Sequence, residues 1–169
     1  DFLESCCLDM IKNSSSIEHL FRYGALLERI NRIPEAEKFI QKSLEISGNL
    51  PNPIILNYLA YLWVEMDKNF QQAEDMLIQA VASTEGNNGA ILDSLGWLYF
   101  KQNNIPIAEK WVGEAYLLEP GEPEIIDHLS QIYKSQGRDR DAKYLDAKIL
   151  NFHKDYFKID SVIERNYEN

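Results

Sequence analysis

The side chains able to do acid–base, nucleophilic or metal chemistry are few and scattered. The histidines are His19, His128 and His153. A general base or metal ligand among them needs partners that converge on it. Asp127 directly precedes His128, and neighbours on a helix point apart. His153 and Asp155 supply too few ligands for a metal. Cys6 and Cys7 are the only cysteines. A bridge between adjacent cysteines is strained, and no second pair stands at ligand spacing, so they read as small apolar side chains of a helix. No Ser sits at nucleophile-elbow spacing, and no Gly-rich phosphate loop follows a strand. The sequence points away from an enzyme, from a metal and from any cofactor.

Charge narrows the partners. The net charge is -10 and the pI is near 4.8, with no basic run of the kind that holds phosphates. This argues against nucleic acid. The hydrophobic fraction is 45%, enough for a packed core, yet no apolar run approaches the ~18 residues of a membrane-spanning helix. An acidic surface favours solubility and basic partners.

Any binding residues must be positioned by the elements around them, and those elements repeat. Gly24, Ala60, Gly96 and Ser130 are small residues separated by steps of 36, 36 and 34. Ala36, Ala73, Ala108 and Ala142 recur in step. The third unit is clearest, with Leu92, Leu95, Gly96 and Tyr99 followed by Ala108, Val112, Ala115 and Pro120. Spacings of three and four place the large side chains on one helical face. The small residues let two helices of a hairpin approach. Loops fall at Gly48–Pro53, Glu85–Gly89 and Pro120–Pro123, and Pro106 suits a first helical turn. A hairpin with such a stripe must stack on its neighbours.

The period resembles that of the tetratricopeptide repeat, ~34 residues long. The resemblance implies an all-α, right-handed superhelix of about four hairpins with flanking helices. The units are 17–52, 53–88, 89–122 and 123–151. Helices are expected over 17–30, 34–47, 53–66, 70–83, 88–102, 105–118, 122–136, 139–151 and 153–166, with another over 1–13. Residues 1–16 read as the second helix of a preceding, truncated repeat, and 152–169 as a capping helix striped by Phe152, Tyr156, Ile159, Ile163 and Tyr167. Asp146 replaces a usual large apolar residue, so the last second helix is expected to face solvent or a different neighbour there.

In this family the first helices line a concave groove. The corresponding positions here include Asn57 and Tyr61, then Asp93, Trp97, Phe100 and Lys101, then Asp127 and Gln131. Tyr61, Trp97 and Phe100 are expected to be exposed anchors of a partner. Asn57, Asp93 and Asp127 stand at equivalent positions, a row of acceptors suited to peptide amides or to Lys and Arg. The family's clamp for acidic chaperone tails uses Lys, Asn and Arg. The matching positions hold Phe21, Ala25, Tyr58, Ala90 and Ser94, so that function is not implied.

Ile91–Trp97 reads Ile-Leu-Asp-Ser-Leu-Gly-Trp, and Pro120–Leu129 reads Pro-Gly-Glu-Pro-Glu-Ile-Ile-Asp-His-Leu, with Gly137-Arg138 following. These phrases resemble a group of proteobacterial cell-envelope tetratricopeptide proteins. That resemblance implies an adaptor in the periplasm or envelope; without it the location is cytoplasmic. Ser130 and Asp146 depart from the group's usual Gly and aromatic residues. The expected function is a non-enzymatic scaffold that binds a protein or peptide, preferentially basic, in its groove. The alternative is a structural spacer or self-association segment, whose groove would be filled by its own terminal helix or by a second copy.

Overall fold

Side chains at the start of the first three hairpins cap the first helix, while the fourth, which begins at Glu122, has no side-chain cap. Ser16 accepts from the His19 amide at 3.2 Å, Asn52 from Ile54 at 2.8 Å and Asn88 from Ile91 at 3.0 Å, satisfying donors left open at a helix start. The turn inside each hairpin also repeats. Asn31, Asp67, Asn103 and Gly137 all adopt positive φ. The amide that follows each donates back to Leu27, Trp63, Tyr99 or Tyr133, the hydrogen bond of a left-handed helix stop. Asn69 adds a second positive-φ residue to the turn inside the second hairpin, where the sequence carries one extra residue.

The computed structural model describes residues 16–48 and 50–167. The expected helix over 1–13 lies outside the described residues. Within them run nine helices: α1 (Ile17–Arg29), α2 (Ile33–Ser47), α3 (Pro53–Glu65), α4 (Phe70–Ser83), α5 (Gly89–Lys101), α6 (Ile105–Leu118), α7 (Pro123–Ser135), α8 (Asp139–Phe152) and α9 (Ile159–Tyr167). They form an all-α solenoid of four antiparallel pairs, α1–α2 to α7–α8, with α9 packed on α8. The first eight start and stop within one residue of the positions that periodicity predicts.

Small residues set the hairpin spacing. A Cβ on Gly96 would lie 2.5 Å from Val112 Cγ2 and 2.8 Å from its backbone N. One on Gly24 would lie 2.5 Å from Ile40 Cγ1. Between hairpins, one apolar cluster joins α2 to α5 around Ile40, Leu59, Leu77 and Leu98. Another joins α5 to α9 around Ile125, Leu129, Ile149 and Val162.

The C-terminal segment differs from expectation. Residues 153–158 are turns, not helix. The amide of Tyr156 donates to His153 O and that of Ile159 to Tyr156 O. This bend lets Tyr156 bury its ring and turns α9 back onto the solenoid. Phe152 stays exposed, and Val162 is buried where Ile163 was expected to be.

Candidate interaction groove

The first helices α1, α3, α5 and α7 carry the expected groove residues. Curvature brings alternate ones within reach: the Tyr61 hydroxyl on α3 donates to Glu124 Oε1 on α7 at 2.7 Å, passing over α5. Burial and then the Glu124 charge push the Tyr61 hydroxyl far above its usual range, so it remains a donor.

Behind this strap the centre is closed. Trp97 stacks on His128, with centroids 3.9 Å apart and rings 9° from parallel. Its other stacking neighbour is Phe100, at 4.8 Å. The Trp97 indole N–H donates to Glu65 Oε1 at 2.7 Å. Trp97 is therefore only 6% exposed, which corrects the expectation of a solvent-facing anchor. The side chain that fills the space is His128, from the next unit. Phe100 and Tyr61 are half-buried.

The expected acceptor row is also occupied differently. Asp93 is buried and its Oδ2 lies 2.8 Å from His128 Nδ1. Burial drives Asp93 upward in pKa. His128 is raised too: burial opposes its charge, but the Asp93 carboxylate outweighs that cost. Asp127 is buried, accepting from the Tyr156 hydroxyl at 2.9 Å and pairing with the Arg165 guanidinium at 2.5 Å. Asn57 is half-buried on α3 and Gln131 half-buried on α7. Lys101 pairs with Asp67 at 3.1 Å.

Asp146 does not face solvent. It is 3% exposed and accepts from Ser130 Oγ, Arg165 Nε and Nη2, and Asn166 Nδ2. Burial works against the Arg165 charge, but its bonds to Asp146 and the Asp127 charge raise its pKa further. Lys158 completes the segment's contacts, 3.8 Å from Glu65 and 3.6 Å from Glu124. The C-terminal segment thus lies against the concave ends of α3 and α7 with its cations on groove carboxylates.

Sequence reasoning missed the Asp93–His128 pair and the role of residues 153–167. The first had a signal: the two are 35 residues apart, about one period, so they stand on adjacent first helices. Among the described residues no group of three or more His, Cys, Asp or Glu is placed to hold a metal. None of the described helices is long and apolar enough to cross a membrane.

No family model matches the chain. A TPR repeat-containing protein of Pseudomonas aeruginosa is 26% identical over 112 residues, which cover 66% of this chain and 18% of that protein. The matched region thus spans under a fifth of the relative. Among solved structures, a thermophilic TPR protein of Thermus thermophilus superposes with a TM-score of 0.79 at 16% identity, covering 90% of this chain and 82% of that one. MamA of Desulfovibrio magneticus gives 0.66 at 16%, covering 88% and 81%. YrrB, described as a TPR protein with an unusual peptide-binding site, gives 0.64 at 14%, covering 95% and 81%. The fold is the tetratricopeptide solenoid.

Proposed function

We propose that this tetratricopeptide solenoid is a non-catalytic scaffold whose concave face holds a segment of a partner protein. The observation that carries the reading is the terminal segment itself. A stretch of polypeptide lies on the concave carboxylates and is held by its cationic side chains. The face is therefore shaped and charged to take a chain segment. Half-buried Tyr61, Phe100, Lys101 and Gln131 offer ring, charge and amide groups around it, with Asn57, Asp93, Trp97 and Asp127 forming the floor beneath. The peptide-binding site of the similarly folded YrrB supports this use of the fold.

Photo-crosslinking amino acids placed at Phe100 and Gln131, with Ile78 on α4 as control, test the reading in the full-length protein. Ile78 is 49% exposed and lies on a second helix. Covalent capture of one defined partner segment from the first two positions and not from Ile78 is the expected result. Capture from Ile78 alone would move binding off the groove.

The second reading, a spacer whose groove is filled internally, also has an observation in its favour: the burial of Tyr156 and Val162 against the last two hairpins. A spacer gives no segment-specific crosslink from either groove position.

A further inference from the structure

The contacts of residues 153–167 are uneven. Among the described side chains of this stretch, Tyr156 and Val162 are buried and Ile159 packs half-buried against the same cluster, while Phe157 is 74% and Ile163 37% exposed. Polar contacts add to this apolar packing. The Tyr156 hydroxyl meets Asp127, Arg165 joins Asp127 to Asp146, and Lys158 sits between Glu65 and Glu124. Helix α9 has nine residues, too few to be stable alone in water. Its order comes from packing on α8 and from ion pairs, of which the partly exposed Lys158 pairs are screened by salt, and open to another chain's cations, more than the buried Arg165 pairs.

The groove offers more than this segment uses. Asp93, one repeat before Asp127, is 4% exposed, and its Oδ1 has no hydrogen-bond partner among the described residues. Glu65 and Glu124 share Lys158 at distances longer than a direct hydrogen bond. Each also accepts one direct hydrogen bond, from Trp97 Nε1 at Glu65 and from the Tyr61 hydroxyl at Glu124, so what a more cationic ligand can improve is their contact with a cation.

Resting on the concave face being the binding surface, we infer that residues 153–167 hold the place of a partner's segment, and that this partner segment is a short basic stretch that, like them, enters through a turn and ends in a short helix. Its pattern is that of the internal occupant: an aromatic hydroxyl, a cation two residues later and a second cation nine residues after the hydroxyl, as in Tyr156, Lys158 and Arg165. The partner enters by displacing the chain's own segment. The groove is thereby closed to weakly basic chains and opens to those with more cations than the two it already holds.

The test uses a fluorescent synthetic peptide of residues 152–167 and the full chain. The Lys158→Glu/Arg165→Glu chain, whose own segment is repelled, is expected to bind the peptide at least ten-fold more tightly than the wild-type chain does. A peptide with the same two reversals is expected to bind at least ten-fold more weakly, and added salt to weaken the native peptide. Equal binding by both chains, or by both peptides, overturns the proposal. Circular dichroism checks the variant's fold; if it unfolds, the two peptides compared on the wild-type chain decide. A partner that crosslinks at Phe100 but is not displaced by the peptide overturns this inference and leaves the binding function standing. Concentration-dependent dimers abolished by the double reversal would assign the groove to a second copy and overturn the foreign segment.

Discussion

Ser130 and Asp146 meet inside the last hairpin, with the Ser130 hydroxyl donating to Asp146 Oδ1 at 2.6 Å. Each departs from the repeat pattern, and the departures belong together. A small donor on α7 and a carboxylate on α8 make a socket that Arg165 and Asn166 enter from α9. Asp146→Ala leaves the mostly buried Arg165 with Asp127 as its main counter-charge, and an expected cost of about 3 kcal/mol. Ser130→Ala removes one of several donors to Asp146 and costs about 1 kcal/mol. Urea denaturation of the two variants, with amide exchange over 159–167, checks the order.

Three glycines should respond to alanine in different ways. At Gly96 the added methyl meets the Val112 backbone nitrogen at 2.8 Å, which cannot rotate away, so a loss of about 1–2 kcal/mol is expected. At Gly24 the nearest atom is the side-chain Cγ1 of Ile40, which can shift, so the loss is smaller. At Gly113, inside α6, no atom lies within 4 Å. There alanine stabilises by roughly 0.5–1 kcal/mol through helix propensity. A single denaturation series reads all three, and a stabilised Gly96→Ala would contradict the close approach of α5 and α6.

Trp97→Ala should damage the fold before it damages binding. The ring is sandwiched by His128 and Phe100 and its N–H is bonded to Glu65, so truncation costs roughly 3–5 kcal/mol. Thermal unfolding followed by circular dichroism measures this. A melting point unchanged from wild type would restore Trp97 as a surface anchor.

Stability should fall as pH rises above the ordinary histidine value of 6.5. His128 is raised in the folded chain, so its contribution is complete below 6.5 and is lost as pH climbs through the folded value. Deprotonation leaves the buried Asp93 carboxylate without its counter-charge, with Glu124 adding repulsion and Lys158 partly offsetting it. The slope cannot exceed about 1.4 kcal/mol per pH unit for one proton. Melting temperatures from pH 6 to 9 should decline in the wild type and flatten in His128→Gln; parallel curves would remove His128 as the cause.

The fold was legible because its signals are local. Caps at Ser16, Asn52 and Asn88, and small residues at Gly24 and Gly96, act within one hairpin. The groove was less legible because its fate is decided between hairpins. Periodicity puts Trp97 and Asp93 on the concave side of α5, but not His128 against them. That contact depends on how tightly the superhelix curves. Likewise the helical spacing of Phe152, Tyr156 and Ile159 is compatible with one helix. Only the socket at Asp127 and Asp146 makes a bend at 153–158 the better solution, because it brings Tyr156 and Arg165 to those acids.

The Tyr61–Glu124 strap, 63 residues long in sequence, alters the mechanics of the array. In a simple solenoid each unit feels only its two neighbours, so melting can begin at an end and travel inward unit by unit. This bond skips a unit, and Lys158 skips further by touching Glu65 from the far terminus. Loosening the last hairpin therefore also releases the second. Pulled from its ends, the described chain should rupture from the second hairpin onward as one block, with only α1–α2 able to peel away separately. Replacing Tyr61 with Phe should split that single event into a staircase.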